Sequence, residues 1–390
     1  MSEHFIAQKV KDLKPSGIRL FFDLVLGAKD VVSLGVGEPD FSTPWKISSK
    51  AIEKIEQGYT SYTSNRGLPE LRKEIARFLK AERGIEYDPD TEILVTVGAS
   101  QGIDLAFRAL LNPGERAIVV KPAYVAYEAD VILAGGEPIC YVTDAESGFK
   151  VDPNVLRAMI KKSGAKLFLL NYPCNPTGAT YSKKELQAIW NVCKEEGVLV
   201  LSDEIYDMLS YGIEHVAFPS LKGAKAQTLY FNGFSKAFAM TGWRIGYVCG
   251  PKEIIAAMTK IFGYTMLSAP IMGQYAACAA LHALDEAQKM VAEYERRRNY
   301  IVAALNEIGL HVHCPQGAFY AFPSVASTGL SGYDFAMELF KSEKVAVVPG
   351  TAFGEEYKDF IRISYASPFD DLKEAVRRMD IFMKKRKAGI

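Results

Sequence analysis

The sequence predicts an α/β protein with a large, mostly parallel sheet flanked by helices, followed by a smaller α+β module. Seven short apolar runs predict strands, and their continuous apolar character is typical of strands buried on both faces. Helical patterns with clear starting signals separate these runs. Beyond about Asp285 the pattern changes to a long charged helix and short strands. The predicted strands of the large sheet span residues 93–97, 117–120, 138–142, 166–170, 198–202, 228–231 and 245–249.

Helix starts in the large-sheet region are marked by capping signals. Asp152-Pro153 predicts a capped start, and Ser182 with Glu185 predicts a capping box. Outside this region, a strand is expected at residues 31–34, helices from about Trp45, Leu68, Ser331 and Ser367, a helix over 286–307, and strands at 311–312, 319–322, 345–348 and 360–365.

Composition is that of a globular protein with more than one hydrophobic core. The chain has 390 residues, of which 49% are hydrophobic and 24% charged. Lys+Arg and Asp+Glu are equal at 46 each, so no basic surplus argues for nucleic-acid binding. No apolar run approaches the roughly 20 residues of a membrane span. The first residues lack the apolar core of a signal peptide, and we expect a cytoplasmic protein.

Several kinds of site are not expected. The six cysteines are scattered without a CxxC pair, which is typical of buried thiols in a reducing compartment. His311 and His313 alternate on a predicted strand without a partner cluster, so no metal site is expected. The segment 35–37 fails the dinucleotide-binding fingerprint because Asp40 stands at the position of the third glycine.

One lysine, Lys236, lies among apolar residues just after a predicted strand. If apolar groups surround its ammonium, desolvation lowers the pKa. A neutral lysine is an amine nucleophile that can form Schiff bases. The alternative is a lysine whose charged head reaches water over an apolar surface. Taken alone, the stretch slightly favours that alternative.

Polar residues follow two other predicted strands. Asp203 follows the run 198–202, and ligands of parallel sheets bind beyond the carboxyl ends of strands. A carboxylate there could keep a pyridine nitrogen protonated, and Tyr206 could reach the same ligand. Asn175 lies in an Asn-Pro-Thr-Gly turn after the run 166–170. A helix N-cap for Asp203 and a simple turn at Asn175 are the structural alternatives.

The segment 98–102 follows a strand and opens a helix, so its free backbone amides could bind an anion. The same segment matches the G-x-S-x-G pattern of a hydrolase nucleophile elbow, which would make Ser100 a nucleophile. No downstream histidine lies in a convincing loop after a strand, so the serine hydrolase is a remote alternative. Arg244 could bind phosphate bidentately, and Arg362 alternates with isoleucines on a predicted strand.

Together these residues resemble the fold-type I pyridoxal phosphate enzymes, specifically the class I/II aminotransferases of the aspartate and aromatic type. The shared motifs are Asn-Pro-Thr-Gly at 175–178, Asp-x-x-Tyr at 203–206, Ser-Lys at 235–236 and Trp-Arg-x-Gly at 243–246. They occur in the family order, and the resemblance runs from Ser33 to Tyr365. It implies a large domain of residues 46–284, a small domain of residues 1–45 and 285–390, and a homodimer with shared active sites.

The resemblance also implies how pyridoxal 5′-phosphate would bind. Lys236 would form the Schiff base and later move the Cα proton, and Asp203 would pair with the pyridinium nitrogen. Asn175 and Tyr206 would bond the phenolic oxygen, and Tyr124 would stack on the ring. The implied phosphate ligands are Ala99, Ser100, Gln101, Ser235, Arg244 and, across a dimer interface, Tyr62.

The resemblance also implies which residues would contact the substrate. Arg362 would bind the α-carboxylate, with Gly37 and Asn175 beside it. Tyr264 stands where an aspartate-specific branch has an arginine, so strict dicarboxylate selection is not expected. Arg19, near the predicted substrate entrance, could meet an acidic side chain.

We therefore expect an aminotransferase that works by ping-pong from an aromatic, aspartate or broad-range amino donor to a 2-oxo acid, with 2-oxoglutarate as the acceptor. Two alternatives of the same fold stay open. One is a C–S lyase. The other is an aminotransferase acting on N-acetyl-diaminopimelate, which the segments 16–19, 60–63 and 98–101 resemble.

Overall fold

The computed structural model describes residues 3–13, 15, 17 and 29–388. The helices are α1 (Gln8–Lys11), α2 (Trp45–Glu56), α3 (Pro69–Arg83), α4 (Gly98–Leu110), α5 (Ala126–Leu133), α6 (Pro153–Ser163), α7 (Lys183–Glu195), α8 (Lys252–Thr265), α9 (Ile271–Ala280), α10 (Leu284–Glu307), α11 (Gly332–Glu343) and α12 (Phe369–Lys387). The strands are β1 (Val32–Ser33), β2 (Ile93–Thr96), β3 (Arg116–Lys121), β4 (Glu137–Val142), β5 (Leu167–Asn171), β6 (Leu199–Asp203), β7 (Thr228–Gly233), β8 (Gly246–Cys249), β9 (Tyr320–Ala321), β10 (Val345–Ala346), β11 (Val348–Pro349) and β12 (Ile361–Ser364).

A seven-stranded sheet has the order β2-β8-β7-β6-β5-β3-β4, and all seven predicted strands are present in it. Strand β8 runs antiparallel to β2 and β7, whereas the other pairs are parallel. Asn171 pairs with Asp203, and Asp203 pairs with Phe231. The carboxyl ends of β5, β6 and β7 therefore lie side by side, and the predicted polar residues meet at one edge.

Helices cover both faces of this sheet, as the continuous apolar strands predict. Leu167 and Leu169 of β5 pack with α4, α5 and α8 on one face. Phe168 and Leu170, which point the other way, pack with α6 and α7. The predicted caps are confirmed: Asp152 accepts from backbone N–H groups of α6, and Ser182 forms the capping box of α7.

Smaller sheets join the two ends of the chain. Strand β1 pairs in parallel with β10, and β12 lies between β11 and β9 in an antiparallel sheet. The backbone N–H of Ser364 donates to Leu34 O over 2.6 Å. The loop after β1 is thereby held beside β12, although the two segments are more than 300 residues apart in sequence. The division into domains at residues 45 and 284 stays a prediction.

Two local predictions need correction. The predicted strand at residues 311–312 is wrong. This segment is irregular and does not pair with any described strand. His311 therefore does not alternate with His313 on a strand. The predicted strand at 345–348 is divided into β10 and β11 because its halves join different sheets.

Within the described part of the chain, no helix combines the length and apolarity needed to cross a bilayer.

A buried ion pair fixes the segment after β6. Arg83, the last residue of α3, donates from Nε and Nη2 to Oδ2 of Asp207, over 3.0 and 2.7 Å. Burial would raise the pKa of Asp207, but the charge of Arg83 holds it below its ordinary value. Asp207 adjoins Tyr206, so this pair anchors a site residue to α3.

Replacing Arg83 with methionine is predicted to lower the free energy of unfolding by about 3 kcal/mol, because Asp207 would remain buried without its cation. Since the folded pKa of Asp207 is depressed, the pair stabilises the protein at neutral pH. This contribution begins to fall as pH drops below about 3.8, and it is lost as pH falls through the lower folded pKa. Urea unfolding at pH 7 and at a series of pH values below 3.8 measures both effects.

Arg116→Met is the matched control, because Arg116 pairs with Glu137 on the exposed surface. It should cost less than about 1 kcal/mol. Equal losses for the two variants, or a loss at Arg83 that does not change with pH, would contradict the assignment.

Candidate active site

A cavity of about 370 Å³ opens where the carboxyl ends of β5, β6 and β7 meet the loop after β1 and strand β12. Residues predicted from the sequence form much of its wall: Gly37, Ala99, Ser100, Tyr124, Asn175, Asp203, Tyr206, Ser235, Lys236, Arg244 and Arg362. The other wall residues are Val36, Glu38, Gly98, Tyr127, Asn171, Ile205, Thr241 and Tyr320.

Three described residues among those predicted, Gln101, Tyr62 and Tyr264, are not on this wall. The Gln101 side chain accepts from the backbone N–H of Val97 over 2.6 Å and caps the start of α4. Tyr62 and Tyr264 are 84% and 90% exposed on the surface of the single chain. Arg19 lies outside the described residues. Pro15 and Gly17 line a neighbouring cleft that reaches Ala123 and Phe353.

Lys236 follows β7 and is half-buried on the cavity wall. Its Nζ donates to Gly37 O over 2.7 Å and lies 5.8 and 5.7 Å from the ring centroids of Tyr206 and Phe319. Burial, followed by the charge of Arg362, lowers the pKa of Lys236 to about 8. A much larger fraction of this amine than of an ordinary lysine is therefore neutral, with its lone pair available, near neutral pH.

Asp203 is the last residue of β6, and its carboxylate faces the same cavity. Tyr127 donates its hydroxyl to Oδ2 over 2.5 Å, and the backbone N–H of Ile205 donates to Oδ1 over 3.2 Å. Burial raises the pKa of Asp203 to about 6. The carboxyl is thus mostly ionised at pH 7 and can stabilise a cationic ring nitrogen.

Arg362 of β12 is a buried residue of the same wall, only 2% exposed. Its Nη2 donates to Gly35 O over 2.6 Å, and its Nη1 donates to Asn175 Oδ1 over 3.0 Å. The guanidinium lies 4.5 Å from the ring centroid of Tyr320. Its Nε has no partner, and no described carboxylate forms an ion pair with it. Donors therefore remain for an anionic ligand.

A second group of free donors lies at the start of α4. Gly98 has a φ of +75°, and a Cβ there would lie 2.8 Å from Arg244 Nη2. Arg244 itself has a φ of +58°, and its Nη1 donates to Thr241 O over 3.0 Å. The helix N-terminus and this guanidinium therefore converge, a combination suited to a phosphate. Any side chain at Gly98 would fill the space between them.

Tyr320, Thr241 and Glu38, which were not predicted as site residues, complete the wall through hydrogen bonds. Tyr206 and Tyr320 share a hydroxyl–hydroxyl bond of 2.9 Å, and Tyr320 also donates to Gly37 O over 3.3 Å. Thr241 donates to Glu38 over 3.0 Å. Tyr127, three residues after Tyr124, could have been found from helical spacing. No sequence pattern marked Tyr320 as a wall residue, apart from its place in a predicted strand.

The functional groups of the wall fit a phosphorylated pyridine aldehyde such as pyridoxal 5′-phosphate. The start of α4 with Arg244 suits the phosphate, Lys236 the aldehyde and Asp203 the ring nitrogen. The guanidinium of Arg362 is then available to bind a second anion. The serine hydrolase alternative finds no support, because no histidine of the described chain lines the cavity beside Ser100. No described group of three or more metal-ligating residues is placed to hold a metal.

This chain is similar to known proteins over nearly its whole length. Residues 29–379 match the family model described as aminotransferase class I and II. An aspartate aminotransferase of Pyrococcus abyssi is 42% identical over 381 residues, which cover 96% of this chain and 97% of the relative. Aromatic-amino-acid aminotransferase 2 of Thermococcus litoralis is 39% identical over 386 residues, covering 98% and 99%. The crystal structure of an aromatic aminotransferase from Pyrococcus horikoshii superposes with a TM-score of 0.90 at 41% identity, covering 95% and 99%.

The lowered pKa of Lys236 predicts that this amine reacts at lower pH than a surface lysine. In competitive labelling of the cofactor-free protein, half-maximal modification of Lys236 is expected near pH 8. Lys80, whose pKa Glu86 raises above 10.5, is the control. Arg362→Met should shift the Lys236 midpoint upward, because a neighbouring positive charge is removed. Mass spectrometry of labelled peptides gives both midpoints. Identical titration of Lys236 and Lys80 would contradict the desolvated environment.

Proposed function

Since this chain belongs to the class I and II aminotransferases, we propose that it uses pyridoxal 5′-phosphate in the cavity around Lys236. It transfers an amino group from an L-amino acid to a 2-oxo acid, with 2-oxoglutarate as the proposed acceptor. The observation that carries the proposal is the placement of Lys236 between Asp203, the start of α4 and Arg362 in one cavity.

The cofactor, when bound, supplies an electron sink that weakens the bonds at the amino acid's Cα. Lys236 would hold the cofactor covalently, and Asp203 would keep its ring nitrogen protonated. The amides of Ala99, Ser100 and Gln101, together with Ser235 and Arg244, would bind its phosphate. Asn175 and Tyr206 would bond its phenolic oxygen, and Tyr124 would cover one face of its ring.

Arg362 would bind the substrate's α-carboxylate through the donors that the protein leaves free. Gly37 and Asn175 lie beside that position, since a Cβ at Gly37 would lie 3.8 Å from Arg362 Nη2 and Asn175 Oδ1 accepts from Arg362 Nη1. A carboxylate held there would place Cα within reach of the Lys236 amine, which would then move the α-proton. The two half-reactions would alternate, the first 2-oxo acid leaving before the acceptor binds.

A broad or aromatic donor range is supported by the charges of the described wall residues. Among the described wall residues the cations are Lys236, Arg244 and Arg362. Arg244 is proposed to bind phosphate and Arg362 the α-carboxylate, so neither is left for a distal carboxylate. Tyr264 lies on the surface rather than on this wall. The proposed donors are therefore aromatic or varied amino acids as well as aspartate.

We also propose that the enzyme is a cytoplasmic homodimer. Tyr62 and Tyr264 are large aromatic residues exposed in the single chain, and Met266 and Leu267 beside Tyr264 are each 49% exposed. A second copy covering this surface would bury these side chains and could bring Tyr62 to the partner's phosphate. Sedimentation velocity tests the assembly, and a monomer at micromolar concentration would contradict it.

Half-reactions should be visible in the absorption spectrum of the cofactor-loaded protein. Adding phenylalanine, tyrosine, aspartate or glutamate separately, without an oxo acid, is expected to remove the Schiff-base band. Adding 2-oxoglutarate should restore it. The relative rates of band loss rank the donors.

An unchanged band with every amino acid would contradict the proposed reaction. Release of pyruvate from cystathionine without an acceptor would instead identify the C–S lyase alternative. Ser100→Ala should keep most of the transaminase activity, whereas a serine hydrolase would lose all activity.

Arg362→Gln is predicted to raise the KM for amino acid donors at least about 100-fold, because a charge-assisted contact to the carboxylate is lost. 2-Phenylethylamine, which has no carboxylate, should lose far less reactivity than phenylalanine in a single-turnover assay of the two enzymes. Arg116→Gln, on the exposed surface, is the control. An equal loss with phenylalanine and 2-phenylethylamine would contradict the assigned contact.

A further inference from the structure

Tyr127 is a buried tyrosine on the cavity wall that the sequence analysis did not single out. It is the second residue of α5, and only 2% of it is exposed. Its hydroxyl donates to Asp203 Oδ2 over 2.5 Å. Its ring contacts Tyr124 edge to face, with centroids 5.6 Å apart. Tyr127 thus connects the aromatic wall of the cavity with the carboxylate at the end of β6.

The two oxygens of Asp203 are each held by one donor from the protein. Tyr127 occupies Oδ2, and the backbone N–H of Ile205 occupies Oδ1. A carboxylate has about four lone-pair positions, so capacity remains for a third donor from the cavity. Because both donors come from ordered elements, the plane of the carboxyl group is fixed before any ligand binds.

Tyr127 also affects the charge of Asp203. Burial raises the pKa of Asp203, and the first group that opposes this effect is the Tyr127 hydroxyl. Burial raises the pKa of Tyr127 itself well above 10, so the hydroxyl stays protonated and remains a donor. Without that donor, the carboxyl would be neutral over a wider range of pH.

We propose that Tyr127 is a positioning residue, whose hydroxyl orients Asp203 and keeps it ionised toward the ring nitrogen of the cofactor. The inference rests on the proposed function, because it assigns Asp203 to that nitrogen. In this role Tyr127 acts through Asp203 and not on the reacting carbon. Its expected contribution is to cofactor affinity and to the pH range of binding.

Other groups around Asp203 do not substitute for Tyr127. Lys236 provides the nearby positive charge, but it is the group proposed to hold the cofactor. Glu204, the next residue of the chain, repels a charge on Asp203. Cys174 and Tyr206 are further titratable neighbours, and burial keeps the pKa of each above its ordinary value. Tyr127 is therefore the side-chain hydroxyl that stabilises the ionised carboxylate in the described structure.

The test compares cofactor affinity rather than turnover. Cofactor-free preparations of the unsubstituted protein, Tyr127→Phe, Asp203→Asn and the double variant are titrated with pyridoxal 5′-phosphate at pH 6 and pH 8. Equilibrium dialysis measures each Kd. Tyr211→Phe is the matched control, because the Tyr211 hydroxyl donates to Ala318 O over the same 2.5 Å and the residue is equally buried.

Tyr127→Phe is expected to weaken binding about tenfold at pH 6, since a hydrogen bond to a charged group is lost and Asp203 takes up a proton. The loss should be smaller at pH 8, where Asp203 is ionised even without the hydroxyl. In the Asp203→Asn background the same substitution should change Kd less than about twofold, because its target charge is absent.

Three outcomes would overturn this inference and leave the proposed function intact. The first is a Kd of Tyr127→Phe equal to that of Tyr211→Phe. The second is a loss of cofactor affinity in Tyr127→Phe that is equal at pH 6 and pH 8. The third is additive losses of affinity in the double variant. The last two would indicate a packing role only. If the unsubstituted protein failed to bind pyridoxal 5′-phosphate, the proposed function would fail and this inference with it.

Discussion

Two cationic side chains, Lys236 and Arg362, face one cavity, and no described carboxylate forms an ion pair with either. Withdrawing a charge from water without a partner carries a free-energy cost, which appears here as lowered pKa values for both groups. The backbone carbonyls of Gly37 and Gly35 offset part of that cost by accepting hydrogen bonds. Arg362 keeps donors free for an anionic ligand, and the lowered pKa of Lys236 favours its neutral amine. The proposed chemistry therefore depends on this desolvated pair.

The fold explains how such distant residues meet. Parallel strands place Asn171, Asp203 and the segment leading to Lys236 at one edge of the large sheet. The small sheets then bring the loop after β1 and strand β12 against that edge, because β1 pairs with β10. Gly35 and Arg362 are thus neighbours, although they lie near opposite ends of the chain. Neither sheet alone would form the cavity.

Local patterns predicted much of this arrangement, and long-range packing determined the rest. The seven buried strands and the caps at Asp152 and Ser182 follow from short-range apolar and capping signals, which the structure confirms. The segment at His311 has a strand-like pattern but forms no ladder with any described strand, and strand pairing cannot be inferred from one segment. Tyr320 lies on the wall because of how the sheets pack, which no local pattern records. Tyr62 stays a prediction, because its proposed role needs a second chain.

The most direct measurement of the central claim is to locate the covalent attachment of the cofactor. Protein loaded with pyridoxal 5′-phosphate is reduced with sodium borohydride, digested and examined by tandem mass spectrometry. The account predicts a phosphopyridoxyl group on Lys236, and none in protein carrying Lys236→Ala. Attachment at another lysine, or undiminished labelling in that variant, would contradict the assignment of the cavity as the active site.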